Sequence, residues 1–210
     1  MTSLYLIRHG ETDWNKTRRI QGRSDIPLNE TGRRQALRAA AQLAGHHWDH
    51  IVASPLSRAR ETAQIIAHEL GLAEPIVIPE LVERNYGQAE GLTRTELDAR
   101  FPEESAVPGR ESRFEVAGRA IPALISLGEE FTNGSVLAVT HGGLIRSVLM
   151  ALQPEDGLHH TEPITNGSVH TLRYDNAGLT LVGFDDVSFA GRKKSDIRRQ
   201  NAVERREATT

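Results

Sequence analysis

Four short apolar runs punctuate the chain. Leu4-Tyr5-Leu6-Ile7, Ile51-Val52-Ala53, Ile76-Val77-Ile78 and Val136-Leu137-Ala138-Val139 are each too short for a helix and each ends at a polar residue or proline, the mark of a buried strand. Between them the spacing changes to a helical period. Segment 32–44 places Ala36, Leu37, Ala40, Leu43 and Ala44 on one face, opposite Arg33, Arg34 and Arg38, which predicts an amphipathic helix. Segment 55–70 follows Ser54-Pro55, an N-cap and a proline at the first helical position, and stops at Gly71, a C′ residue. Arg58 then falls in its first turn. A further helix is expected over about 113–131. Strands alternating with helices predict βαβ units around a mainly parallel sheet, an α/β class. The alternating runs 168–174 and 179–184, joined by Asp175-Asn176-Ala177-Gly178, predict a hairpin at the sheet edge.

The region 100–115 is rich in proline and charge and predicts an exposed excursion, of the kind that covers a site. The wider span 85–115 is expected to serve as a cap or lid. Beyond Gly191, seven Arg/Lys face three Asp/Glu with almost no apolar residue, so 191–210 is expected to be a mobile basic tail. Its net +4 leaves −7 on the body of a chain whose total is −3. Asn-Gly-Ser triplets begin at Asn133 and Asn166 and read as turns.

A chain of 210 residues fits one domain, expected over 1–190. With 38% hydrophobic and 25% charged residues and a net charge of −3, nothing points to nucleic acid or an anionic membrane surface. The chain has no cysteine, which excludes disulfides, thiolate nucleophiles and Cys-ligated zinc. No run approaches the roughly 18 apolar residues of a membrane span, and the N-terminus shows no secretion pattern. A cytoplasmic location is the expectation.

The strand endings carry the chemistry. The first runs into Arg8-His9-Gly10-Glu11-Thr12, the second into Ser54-Pro55-Leu56-Ser57-Arg58, and the last into Thr140-His141-Gly142-Gly143. Ligands of open α/β sheets sit outside the carboxyl ends of the strands, so these endings are expected to converge. Paired imidazoles and guanidiniums suit a phosphoryl group. Arginine presents a planar fork that matches phosphate oxygens and stays charged at any working pH. A neutral imidazole can attack phosphorus and hold it as phosphohistidine, while a second imidazole, if protonated, would stabilise charge on the equatorial oxygens. Glycine after each histidine lets the backbone approach the anion and present N–H groups. Positioning and electrostatics then suffice. The cluster His46-His47-Trp48-Asp49-His50 lacks a metal-site spacing on one helical face, and His159-His160 reads as a surface loop.

Together these blocks resemble the histidine phosphatase superfamily, also called the phosphoglycerate mutase-like family, over roughly residues 3–190. The resemblance implies a three-layer α/β/α sandwich with a mainly parallel central sheet. It implies that His9 is the nucleophile, that Arg8 and Arg58 bind the phosphoryl group, and that His141 is the second catalytic histidine. Asn15 and the block from Gln21-Gly22-Arg23 to Gly32 resemble the loop whose Asn enters the phosphate pocket and whose Gln faces the substrate; Gly22 and Gly142 join the phosphate-binding set. Leu81-Val82-Glu83 to Gly91 resembles the segment whose first glutamate, Glu83, protonates the leaving alkoxide and then, as a carboxylate, activates water. Glu90 competes for that role, and Glu11 reads as a structural partner of a nearby arginine. Gly109-Arg110-Glu111-Ser112 resembles a segment at the substrate's non-reacting end, where Arg110 or Ser112 would bond a carboxylate or sugar hydroxyl. No metal and no cofactor are expected, because arginines take the role of Mg²⁺.

Members of the family hydrolyse phosphomonoesters or pass the phosphoryl group between the hydroxyls of a phosphoglycerate. Glu83-Arg84-Asn85-Tyr86-Gly87 is close to the mutase form. The chain nevertheless lacks the longer insertion with paired arginines and following prolines, and Gln21-Gly22-Arg23-Ser24-Asp25 is of the phosphatase kind. The favoured expectation is a phosphoric monoester hydrolase acting on a small phosphorylated metabolite without a metal. A 2,3-bisphosphoglycerate-dependent phosphoglycerate mutase is the alternative, and a non-catalytic regulatory protein that binds a phosphorylated ligand is the reading from another class. Ala89 stands where family phosphatases commonly carry an aromatic residue, implying a wider pocket wall or one filled from 100–115. A homodimer is left open.

Overall fold

The computed structural model describes residues 1–102, 106–153 and 161–186. The alternation in the first strand, β1 (Thr2–Arg8), sets the layers, since successive side chains point to opposite faces. On one face Leu4 and Leu6 pack with Val136, Ala138, Leu124 and Leu144, beneath helices over Arg113–Glu130 and Gly142–Leu152. On the other, Tyr5 and Ile7 pack with Ile51, Leu137, Ala40 and Ile66, beneath helices over Glu30–Leu43 and Ser57–Leu70. The result is a three-layer α/β/α sandwich.

In chain order the elements after β1 are α1 (Asp13–Lys16), α2 (Glu30–Leu43), β2 (His50–Ala53), α3 (Ser57–Leu70), β3 (Ile76–Val77), α4 (Arg94–Arg100), α5 (Arg113–Glu130), β4 (Ser135–Thr140), α6 (Gly142–Leu152), β5 (Val169–Asp175) and β6 (Gly178–Gly183). The sheet order is β3-β2-β4-β1-β5-β6. The first four strands in chain order pair in parallel, and β5 and β6 add the antiparallel edge hairpin that the sequence predicts. Register places Arg8 opposite Thr140 and Ala53 opposite Val139. His9, Ser54 and His141 therefore leave the sheet side by side, the convergence the site needs.

Local expectations shift in four places. Helix α2 starts at Glu30, where the Asn29 side chain accepts the Gly32 N–H at 2.9 Å. Its buried face is Gly32, Ala36, Ala39, Ala40 and Leu43, while Leu37 is 46% exposed and Ala44 lies outside the helix. The stripe is turned because α2 packs on α3 as well as on the sheet. Helix α3 starts at Ser57 with an N-cap, Leu56, that offers no side-chain bond; Ser54, the expected cap, is engaged by His141. Arg58 still lies in the first turn, and Gly71 closes the helix in the left-handed region at φ 69°. The expected strand 76–78 is the short outer strand β3, whose Ile76 and Val77 are exposed; among the described residues no strand pairs beyond it.

Both Asn-Gly sites are turns, with Asn133 at φ 63° and Gly167 at φ 82°. Residues 106–112 run back against 84–87. A side chain on Gly87 would come within 2.1 Å of the Pro108 carbonyl oxygen, and Glu111 ties the two segments by accepting the Asn85 N–H at 2.9 Å and the Arg119 guanidinium at 2.8 Å. His159-His160 and the 191–210 tail lie outside the described residues. Among the described residues no helix is long and apolar enough to cross a membrane.

Candidate active site

The two histidines emerging from β1 and β4 are buried, with ring centroids 5.1 Å apart. Nδ1 of His9 lies 2.6 Å from the Gly10 carbonyl. A carbonyl only accepts, so the proton is assigned to Nδ1 and the lone pair to Nε2. Arg58 Nε donates to that Nε2 at 3.2 Å. Burial, reinforced by the Arg58 and Arg8 cations, holds His9 well below the usual histidine range. The ring is neutral and its free nitrogen faces a guanidinium. His141 is held low in the same way, by burial first and then by Arg58, His9 and Arg8. Its Nε2 lies 2.7 Å from the Ser54 hydroxyl.

Arg58 is fully buried. Besides His9 it reaches the Ser24 and Gly22 carbonyls, at 2.9 and 2.8 Å, tying loop 22–24 to His9. Arg8 spans to the Ile164 carbonyl at 2.5 Å. Two buried atoms of these side chains, Arg8 Nε and His141 Nδ1, have no hydrogen-bond partner among the described residues. Orphaned buried polar groups are costly, and an anion seated between the arginines and histidines would satisfy both.

Glu83 sits at the start of α6. Its carboxylate accepts the N–H groups of Arg84 and Leu144 on Oε1, at 2.7 and 2.9 Å, and of Gly143 on Oε2, at 3.0 Å. Gly143 leaves the room for this: a Cβ there would lie 2.7 Å from Glu83 Oε1 and 2.8 Å from the Tyr86 hydroxyl. Burial, and next the Glu83 charge, raise the Tyr86 pKa, so its hydroxyl keeps its proton beside the carboxylate. An open cleft of about 330 Å³ is bounded by these groups and by Asn15, Gln21, Gly22 and Gly142. A small anionic molecule fits it.

The family model of the histidine phosphatase superfamily (branch 1) matches residues 4–187. The chain belongs to this superfamily. It is 38% identical over 175 residues to the uncharacterized phosphatase PhoE of Bacillus subtilis, covering 83% of this chain and 89% of that one. It is likewise 38% identical over 202 residues to the probable phosphoglycerate mutase GpmB of Yersinia pestis, covering 89% and 86%. A solved mycobacterial glucosyl-3-phosphoglycerate phosphatase, in complex with VO3, superposes with a TM-score of 0.78 at 32% identity, covering 87% of this chain and 98% of that one.

In this member of the superfamily the structure brings Arg8, His9, Asn15, Gln21, Gly22, Arg58, Glu83 and Gly142 around one cleft, while His141, not itself among the lining residues, has its ring centroid 5.1 Å from that of His9. Two expected residues lie elsewhere. Ser112 caps α5, accepting the Glu115 N–H at 3.1 Å, and the Arg110 guanidinium rests over the Tyr86 ring, 5.5 Å from its centroid. A helix start consumes the serine and an aromatic face the arginine. Glu90 does not line the cleft; it accepts the Arg23 and Ser24 N–H groups, both at 2.9 Å, and the Ser24 hydroxyl at 2.6 Å. It shapes loop 22–24, where Gly22 takes the left-handed φ of 54° and leaves room for the Glu90 carboxylate. Glu11 pairs with the Asn29 amide at 2.9 Å instead of an arginine. His47 meets Asp49 at 2.9 Å and His50 stacks on Phe131.

Several contributors escaped the sequence reading. Asn166, read only as a turn, donates to the His9 carbonyl at 2.9 Å and to Asn15 Oδ1 at 3.3 Å. Tyr86, Arg19, Arg113 and Arg146 also line the cleft. Arg146 was within reach of pattern reading, since it stands four residues after Gly142 on the same helical face. Nothing local marks the others.

Neutral burial of His9 and His141 has a thermodynamic consequence. Both folded-state pKa values lie below the ordinary 6.5, so the unfolded chain binds more protons as the pH drops past that value. The stability they contribute is complete above about pH 6.5 and is lost below it, at up to about 1.4 kcal/mol per pH unit for each histidine. Urea unfolding at about pH 7.5 and about pH 5.5 is expected to show this loss, halved in slope in His141→Asn. Equal slopes for the two proteins would count against neutral burial of His141.

Proposed function

We propose that the protein is a metal-independent phosphomonoesterase that hydrolyses a small phosphorylated metabolite through a phosphohistidine on His9. The observation that supports this reading is the fixed His9 ring, with Nδ1 bound to the Gly10 carbonyl and an unprotonated Nε2 that accepts from Arg58 Nε. Nε2 attacks phosphorus as the ester P–O bond breaks, and Arg8 and Arg58 balance the charge on the transferring oxygens. With the Ser54 hydroxyl donating to His141 Nε2, Nδ1 of His141 carries an N–H for the same oxygens. Glu83, as the acid, gives its proton to the departing alkoxide. As a carboxylate it then takes a proton from the water that attacks the phosphohistidine, releasing inorganic phosphate. The guanidiniums supply the positive charge that a metal brings elsewhere.

Phosphorus NMR in EDTA, with 3-phosphoglycerate, a trace of 2,3-bisphosphoglycerate and a mixture of other phosphomonoesters, tests this. Inorganic phosphate that appears with the native protein and not with His9→Ala supports the hydrolase. Formation of 2-phosphoglycerate without phosphate would establish the mutase, the reading that the Glu83-Arg84-Asn85-Tyr86-Gly87 segment favours. Binding without any turnover would leave a phospho-ligand-binding protein.

A further inference from the structure

Residues 80–83, which bring Glu83 to the cleft, lie between β3 and α4, and side chains hold their backbone carbonyls. The Leu81 carbonyl accepts the Thr140 hydroxyl at 2.7 Å. The other three converge on one guanidinium: Arg119 Nη1 donates to the Glu80 and Val82 carbonyls at 2.5 and 2.8 Å, and Nη2 to the Glu83 carbonyl at 3.1 Å. Arg119 lies inside α5 and is itself fixed by the Glu111 carboxylate, with Nε on Oε1 at 2.8 Å and Nη2 on Oε2 at 3.2 Å. All five of its N–H donors are thereby used. Glu111 also brackets the segment from its other side. Its Oε2 accepts the Asn85 N–H at 2.9 Å, its own N–H donates to the Asn85 carbonyl at 2.8 Å, and its carbonyl accepts Arg84 Nε at 2.6 Å. Burial raises the Glu111 pKa, but the bonds from Arg119 and the Asn85 N–H outweigh it and hold the carboxyl below its usual range. The ion pair is mostly buried, its side chains 20% and 13% exposed, and neither residue lines the cleft.

We propose that Arg119 and Glu111 are positioning residues for Glu83, and that their ion pair fixes the backbone from which its carboxyl reaches the leaving oxygen. This rests on the acid role given to Glu83 above. The glutamate is pinned at both ends, its carbonyl by Arg119 and its carboxylate by the N–H groups of Gly143 and Leu144. A proton donor works only within hydrogen-bond reach of its acceptor, and a displacement of about 1 Å costs up to about 10²-fold in rate. A planar fork serves five acceptors in fixed directions. An ammonium group offers three donors, so lysine at 119 would keep the charge and release part of the segment.

Arg119→Lys is the informative variant, because the retained charge also acts on His141. Its kcat for an alkyl phosphate is expected to fall about 10- to 10²-fold, with KM changed by less than about twofold. Phosphohistidine formation from p-nitrophenyl phosphate, whose leaving group needs no proton, should change by less than about threefold. Glu111→Gln keeps an oxygen for the Asn85 N–H and should show the same split at smaller size; it carries the comparison if Arg119→Lys does not fold. Added to Glu83→Gln, Arg119→Lys should lower alkyl phosphate turnover by no more than about twofold further, since the group it positions is gone. Amide NMR signals of Gly143 and Leu144, whose N–H groups bond the Glu83 carboxylate, read its position without turnover. They are expected to move in Arg119→Lys while those of α2 and α3 stay in place. Unmoved amides, or equal losses on both esters in Arg119→Lys with the split intact in Glu83→Gln, would overturn the positioning role. Amides that move in Arg119→Lys, with no split in Glu83→Gln itself, would keep Arg119 as the anchor of Glu83 and overturn the acid reading.

Discussion

His9→Ala is expected to lower phosphomonoester turnover by at least about 10⁴-fold, because it removes the atom we propose attacks phosphorus. The geometry leaves no substitute. His141 lies at a ring separation of 5.1 Å and its Nε2 is held by Ser54. Arg8 and Arg58 would still draw the phosphate in, so orthovanadate should bind the variant while the rate collapses. Rapid acid-free quenching with a radiolabelled ester should trap a phosphoenzyme in the native protein and none in the variant. A phosphoenzyme that still formed at the native rate in His9→Ala would place the nucleophile elsewhere.

Glu83→Gln should produce the second largest loss, about 10²- to 10⁴-fold for alkyl phosphates, the range for removing a general acid. The discriminating feature is the leaving group. An ester whose leaving group departs as a stable anion, such as p-nitrophenyl phosphate, needs no proton from Glu83 in the first step and should lose much less in phosphohistidine formation. Glutamine is close in shape, but its amide nitrogen cannot accept one of the N–H groups now bound from Gly143, Arg84 and Leu144, a local penalty of about 1–3 kcal/mol. Urea unfolding distinguishes that penalty from catalysis, since a structural effect would slow both esters alike. Equal losses for alkyl and p-nitrophenyl esters, or a native rate of phosphohistidine formation from alkyl esters, would remove Glu83 from the role and return attention to its neighbours.

The two glutamates of the 83–91 segment show where pattern reading meets its limit. Both are carboxylates near the same turn, and no spacing rule separates them. The structure does: Glu83 faces the cleft from the start of α6, while Glu90 turns inward to hold the Arg23 and Ser24 amides. Arg110 and Arg113 repeat the lesson. Three positions apart, one stacks on Tyr86 and the other lines the cleft, because α5 begins between them at Ser112.

The sequence by itself determined the apolar strands, the Arg-His-Gly and His-Gly-Gly endings, and the family. These are legible because strand burial and backbone freedom at glycine are local properties, written in neighbouring residues. Only the tertiary structure decided that Ser54 meets His141 and does not cap the helix it precedes, that Asn166 holds the His9 carbonyl, and that Arg113 and Arg146 line one cleft from two helices. Those choices depend on which buried polar group finds which partner once water is excluded. Partners 87 or 157 residues apart, as for Ser54 with His141 and His9 with Asn166, are brought together by parallel register and helix packing, on which short-range pattern carries no information.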